Sequence, residues 1–193
     1  MPKISAASVR EHRAQRLSQL IDAAEAILAE QGVHALTAGA VAARVGLARN
    51  SIYRYFDSID ELIELVVTRE YPTWMATVRA AVDAAPTPAA RVVAYVRSNL
   101  ELAARGRHGW RAAVAQRTLP EASLKRIGEL HKTLTAILTS AVDELGVDHP
   151  RLLESVLHAL VEASIRRIDA GDEPSGIIDF ACDAAARLLP PSR

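Results

Sequence analysis

The recurrence of apolar residues at intervals of three and four is what most restricts the fold of this chain. Over residues 9–31, Leu17, Leu20, Ile21, Ala24, Ile27 and Leu28 fall on one face at the period of an α-helix, and Gly32 ends the pattern. The same period returns along the chain, each time after a short polar or glycine-containing break with proline near a helix start. Thr87-Pro88 opens a helix to about Ala104, Leu119-Pro120 another to about Leu145, Asp148 to Pro150 a third to about Ala170, and Pro174-Ser175 the last to about Leu189. One more short helix fits between Gly106 and Arg117. No segment reads as a convincing strand, so the expected fold is all-α with about nine helices. Composition agrees, because half the residues are apolar while Phe, Trp and Tyr make up only 4%, a mixture that favours close-packed helices over sheets.

The N-terminal third is cut more finely. Thr37 suits the N-cap of a short helix through Val45, Gly46 breaks the pattern, and a further segment runs from Ala48 to Tyr55. Ser58, Ile59, Asp60 and Glu61 form a Ser-x-x-Glu capping box whose acids also suit the positive end of a helix. It opens a long helix that turns Leu62, Leu65 and Val66 inward and runs towards Ala85, with Pro72 expected to kink or interrupt it.

The formal net charge is zero, which taken alone argues against a phosphate-rich partner. Its distribution argues otherwise. Residues 1–56 hold seven Lys or Arg against four acids, a surplus of three that the rest of the chain cancels. Such asymmetry points to a nucleic-acid-facing end and a neutral or acidic body, with random scatter as the competing reading. Cys182 is the only cysteine, which leaves neither an intrachain disulfide nor a cysteine metal cluster and fits a reducing compartment. The N-terminus lacks the apolar stretch of a signal peptide and no later run has the length of a membrane span, so the expectation is a soluble, cytoplasmic protein without a membrane partner. An enzyme would need a convergent set of acids, bases or metal ligands. Histidines 12, 34, 108, 131, 149 and 158 show no metal spacing, and no glycine-rich phosphate loop follows a strand, so no catalysis, metal or cofactor is expected.

In TAGAVAARVGLARNSIYRYF, Ala42 is followed four residues on by Gly46 and six further on by Ile52. Two helices that cross closely at a wide angle need a small residue at the crossing, glycine at the turn and a branched apolar residue where the second packs on the first. Many helical hairpins meet that spacing. The continuation Ile52-Tyr53-Arg54-Tyr55-Phe56-Asp57-Ser58 sharpens it, and with this run the sequence resembles the TetR family of regulators over residues 13–66. The resemblance implies a nine- or ten-helix fold, a helix-turn-helix domain over residues 1–57 with a basic N-terminal arm, and an effector-binding and dimerisation domain over residues 58–193. It also implies a homodimer that binds a palindromic double-stranded DNA operator, represses transcription and is released by a small-molecule effector. The alternative is a helical interaction or scaffolding module that binds no DNA.

Carried onto this chain, the segment Ala48–Tyr55 is similar to the recognition helix. Arg49 and Asn50 stand at its N-terminal end, which reaches base edges in this docking mode, with Arg suited to guanine and Asn to adenine. Tyr53 matches a phosphate- or base-contacting position. Thr37 and Tyr55 match positions that hold the DNA backbone, Ser58 offers a helix N-terminus to phosphate, and Ser51 and Arg54 complete the DNA-facing set. Thr37 could equally be only a cap and Tyr55 mainly core. Arg10, Arg13 and Arg16 read either as a basic arm or as a disordered solubilising tail. Two departures stand out: Ile59 occupies a position where the family commonly has a phosphate-pairing Lys, and Ala48 and Asn50 replace its frequent Ser and Gly.

In the C-terminal body, Leu153, Val156, Leu157, Leu160 and Val161 on one helix, with Ile177, Phe180, Ala181, Ala184 and Leu188 on the last, give apolar faces wider than a core requires, which suits a four-helix dimer interface. Trp74, Arg97, His108, Trp110 and His131 are the large aromatic and polar candidates for the effector pocket.

Overall fold

The computed structural model describes residues 6–105 and 119–190. Among these there are helices and no strand: α1 (Ala6–Gln31), α2 (Ala38–Arg44), α3 (Ile59–Asp83), α4 (Pro88–Ala104), α5 (Glu121–Asp143), α6 (Pro150–Asp169) and α7 (Pro174–Leu188), with 3₁₀ turns at Val33–Ala35 and Arg49–Arg54. The short helix expected between Gly106 and Arg117 lies outside the described residues.

Local chemistry accounts for the boundaries. Thr37 accepts a hydrogen bond from Ala40 N at 3.2 Å to start α2, and Thr87 accepts one from Ala90 N at 3.1 Å to start α4. Pro88, Pro150 and Pro174 occupy first turns, where the missing N–H costs nothing. Helix α2 ends in a Schellman motif: Gly46, at φ +68°, donates to Ala43 O at 3.2 Å and Leu47 donates to Ala42 O at 2.9 Å.

Two expectations change. Helix α3 runs unbroken through Pro72. Proline removes one backbone bond, while Tyr71 and Trp74 on either side of it are buried and hold both halves of the helix to the core. The segment after Gly46 is a 3₁₀ turn, with bonds from Ser51 N to Ala48 O at 2.8 Å and from Tyr55 N to Ile52 O at 2.9 Å. Six residues without a side-chain N-cap are too few to repay α-helix nucleation, and the tighter turn satisfies them.

Residues 6–69 and 119–127 form one compact unit, and residues 70–105 and 128–190 form the other, so α3 and α5 supply residues to both. The first unit closes on Leu20, Ile27, Val41, Ile52, Leu62 and Val66, all without exposed surface. In the second, α4, α6 and α7 pack together around Val96, Leu100, Leu157, Ile165, Ala181 and Ala185.

Candidate nucleic-acid interface

The 3₁₀ segment Arg49–Arg54 divides sharply into two sides. Ile52 is fully buried, and Phe56 just beyond the turn is buried as well, so the inner side is anchored in the core. Arg49, Asn50, Tyr53 and Arg54 are exposed, and Ser51 and Tyr55 are half-exposed. Tyr53 is 43% exposed, with its ring edge-on to Phe56 at 6.3 Å between centroids, so the core-held phenylalanine fixes where the phenol points. The outer side therefore offers two cationic forks, an amide and a phenol, a set able to meet phosphate oxygens and base edges together.

What holds this segment comes from far along the chain. Arg13 Nη2 donates to Arg54 O at 3.0 Å and so satisfies a carbonyl at the end of the turn. Arg10, Arg13 and Arg16 belong to α1, which corrects the reading of them as a disordered tail: the helix extends back to Ala6. Arg16 Nη1 is engaged by Gln19 Oε1 at 3.0 Å. Arg44 on α2 grips Glu30 on α1 with two bonds of 2.6 and 2.9 Å. That pairing holds the Glu30 carboxyl below its ordinary range and raises the Arg44 guanidinium. Arg69 on α3 reaches Asp22 and Glu25 on α1, each at 2.6 Å. Burial works against its charge, and the two carboxylates outweigh burial and raise it. Three of the acids that dilute the basic end of the chain, Asp22, Glu25 and Glu30, are thus engaged in internal ion pairs.

Further pairing fixes the base of α3. Ser58 Oγ accepts from Glu61 N at 3.1 Å, and Glu61 Oε2 accepts from Asp57 N at 2.5 Å, so the capping box closes one residue earlier than its simplest form. Glu64 takes hydrogen bonds from both sides of the Arg126 guanidinium and from Ser123 Oγ, the last at 2.6 Å. Arg126 and then Ser123 hold the Glu64 carboxyl below its ordinary range, against a smaller effect of burial. No local pattern announces the Arg13, Arg69 and Arg126 tethers, because their partners stand 41 to 62 residues apart.

In the second unit, Trp74 is buried and its Nε1 donates to Asn99 Oδ1 at 2.9 Å, while His131 Nδ1 lies 3.0 Å from the Tyr71 hydroxyl. Arg97 is exposed and pairs with Asp179 at 3.5 Å. His108 and Trp110 lie outside the described residues. Of the residues suited to dimerisation, Val156, Phe180 and Leu188 are exposed, and Leu153, Leu160, Ile177 and Ala184 are half-exposed. Leu157, Val161 and Ala181 belong to the chain's own core, closed to a partner. The outward stripe gains Leu152, which is 64% exposed.

Residues 20–66 match the family model described as bacterial regulatory proteins, tetR family. Among solved structures, a bacterial regulatory protein in the tetR family from Rhodococcus RHA1 is 15% identical with a TM-score of 0.74, covering 92% of this chain and 98% of that one. The transcriptional regulator FadR from Bacillus subtilis, in complex with stearoyl-CoA, is 19% identical with a TM-score of 0.71, covering 89% and 96%. A structure described as superantigen pfit shares the fold too, at 20% identity and a TM-score of 0.68, covering 91% and 89%. Among curated proteins none matches the sequence. The fold is TetR-like, and the family resemblance rests on the N-terminal segment that carries the exposed basic face.

Proposed function

Since residues 20–66 match the family model described as bacterial regulatory proteins, tetR family, we propose that this chain is a DNA-binding transcriptional repressor, which binds a palindromic operator as a homodimer and is released by a small-molecule effector. The observation that carries this reading is the outward set Arg49, Asn50, Tyr53 and Arg54 on a segment whose inner face is locked into the core. A scaffold has no use for a rigidly presented row of forked donors. Arg49 and Asn50 read guanine and adenine, and Tyr53 and Arg54 meet base or phosphate. Thr37, Ser51, Tyr55 and Ser58 position the DNA backbone. The hydroxyls of Thr37 and Ser58 already cap helices, so their contribution is to aim backbone N–H groups at phosphate.

DNA reading belongs to residues 1–57, and effector binding and dimerisation to residues 58–193. The exposed apolar stripe of Leu152 and Val156 on α6 with Phe180 and Leu188 on α7 supports a two-fold helical interface. No helix among the described residues is long and apolar enough to cross a membrane, which accords with action in the cytoplasm. The effector is apolar or amphipathic, as the stearoyl-CoA bound to the Bacillus subtilis FadR illustrates for this fold. Of the pocket candidates among the described residues, Trp74 and His131 are assigned to it, with Arg97 less favoured because Asp179 engages it. Binding changes the separation of the two reading heads, since a dimer fits successive major grooves only within a narrow spacing.

The experiment is selection of bound sequences from a random DNA pool, followed by mobility shifts at several salt concentrations. The expected result is a palindrome whose half-site centres lie about one helical turn apart, or a multiple of it, bound with a steep salt dependence. Absence of any enriched sequence, or binding indifferent to salt, overturns the reading.

A further inference from the structure

Four polar side chains, one from each of α3, α4, α5 and α6, meet within the second unit. Tyr71 and Tyr95 are buried, yet each aims its hydroxyl at a histidine: Tyr71 Oη lies 3.0 Å from His131 Nδ1, and Tyr95 Oη lies 3.4 Å from His158 Nε2. The two imidazole rings stand 6.3 Å apart between centroids, and the Tyr95 ring lies edge-on to His158 at 6.2 Å. Asn99 braces the group by donating to Tyr95 O at 2.8 Å while accepting from the Trp74 indole. Nδ1 of His158 makes no hydrogen bond with any described residue. His131 is exposed and His158 half-buried, and a charge on either ring opposes the charging of the other.

We propose that the Tyr71–His131–His158–Tyr95 cluster receives the carboxylate of the effector and takes up a proton as it does so. This deepens the reading of residues 58–193 as effector-binding and rests on it. A carboxylate between the two rings favours protonation of the pair: the one imidazolium that forms gains an opposite charge, and the hydroxyls supply further donors. Burial foremost, and then His131, lower the pKa of His158 and so favour its neutral form. Glu154 and Glu162, one turn to either side on α6, favour protonation of His158 against those effects. The charged and titratable groups around His158 among the described residues are thus Tyr95 on α4, His131 on α5, and Glu154 and Glu162 on α6, with Tyr71 on α3 reaching it through His131. The proton comes from solvent and stays on the imidazole pair for as long as the anion is bound.

The test uses the full-length protein with isotope-labelled histidine, and follows each imidazole through a pH titration by NMR. Benzoate is the probe, against equal sodium chloride, benzyl alcohol and inorganic phosphate. Benzoate is expected to move the titrations of His131 and His158 together to higher pH, leaving His12, His34 and His149 in place. Its affinity is expected to fall about tenfold per pH unit above the free midpoints, the slope for one linked proton. Tyr95→Phe and His158→Gln, checked for helical content, are expected to abolish the joint movement. The proposal is overturned if neither histidine moves, if all histidines move alike, if benzyl alcohol acts as strongly, or if phosphate outcompetes benzoate. Operator binding is measured separately. Histidines that respond while operator affinity stays constant leave this site standing and remove the effector reading, whereas a protein that binds no DNA removes the regulator reading alone.

Discussion

Phe180 offers the cleanest separation of dimerisation from folding, because its ring is 71% exposed on α7 and contributes little to the core of its own protomer. A phenylalanine presents about 150–250 Å², so the exposed part amounts to roughly 140 Å². Covering it in a dimer is worth about 3 kcal/mol at roughly 25 cal/mol per Å². A two-fold interface contains the residue twice, and alanine retains a small part of the contact, so Phe180→Ala is expected to cost about 5 kcal/mol per dimer, or more than three decades in Kd. The protomer itself is expected to change by less than about 0.5 kcal/mol, since alanine is the best helix former and no core contact is lost. Sedimentation velocity over a range of protein concentrations measures the first quantity, and thermal unfolding at a dilution where both proteins are monomeric measures the second. An unchanged dimer Kd would refute the assignment of this face. A variant that loses its helical content would show that the ring serves the protomer's own packing.

Arg49→Ala is expected to relax base preference at one symmetric pair of operator positions, costing about 1 to 3 kcal/mol per contact, whereas a uniform loss over all sequences in a binding-selection assay would make it a phosphate contact. Gly46→Ala is expected to lower stability by about 1 kcal/mol in denaturant titrations, purely from its φ of +68°, because a Cβ there meets no atom within 4 Å. A much larger loss would mean that the turn packs more tightly than this. Glu64 has a folded-state pKa held below its ordinary 4.5, so its stabilising effect is present above that pH and is lost as the carboxyl protonates below it. Glu64→Gln is accordingly expected to flatten the acid limb of the stability profile, and an unaltered slope in melting temperature against pH would show that Arg126 contributes nothing. His158 is likewise depressed below its ordinary 6.5, so its neutral form stabilises the fold above that pH and the effect is lost as pH falls through the folded value. His158→Gln is expected to reduce the loss of melting temperature on mild acidification, and an equal loss in both proteins would contradict it.

Periodicity and punctuation lie in the chain itself, which is why the starts of α4, α6 and α7 could be read directly from Thr87-Pro88, Asp148 to Pro150 and Pro174-Ser175. A cap or a first-turn proline acts over three or four residues, so its effect is written where it occurs. The Gly46 turn, the buried Ile52 and Phe56 and the exposed Arg49-Asn50 pair follow from the same short-range logic. That α3 continues through Pro72 was not legible for the complementary reason: a local rule counts the lost backbone bond and does not see Tyr71 and Trp74 being buried on either side of it. The 3₁₀ form of Arg49–Arg54 likewise reflects a balance between nucleation and turn bonds too small for periodicity to resolve. Which apolar residues of α6 and α7 point inward was beyond the pattern, because stripes this wide serve two surfaces, and only packing against α4 assigns Leu157, Val161 and Ala181 to the core while leaving Val156, Phe180 and Leu188 outside. The Arg69, Arg126 and His131–His158 groupings are set by tertiary structure alone. A charge or an imidazole carries no mark of a partner on another helix, and the energy that pairs them arises only when folding brings those helices together.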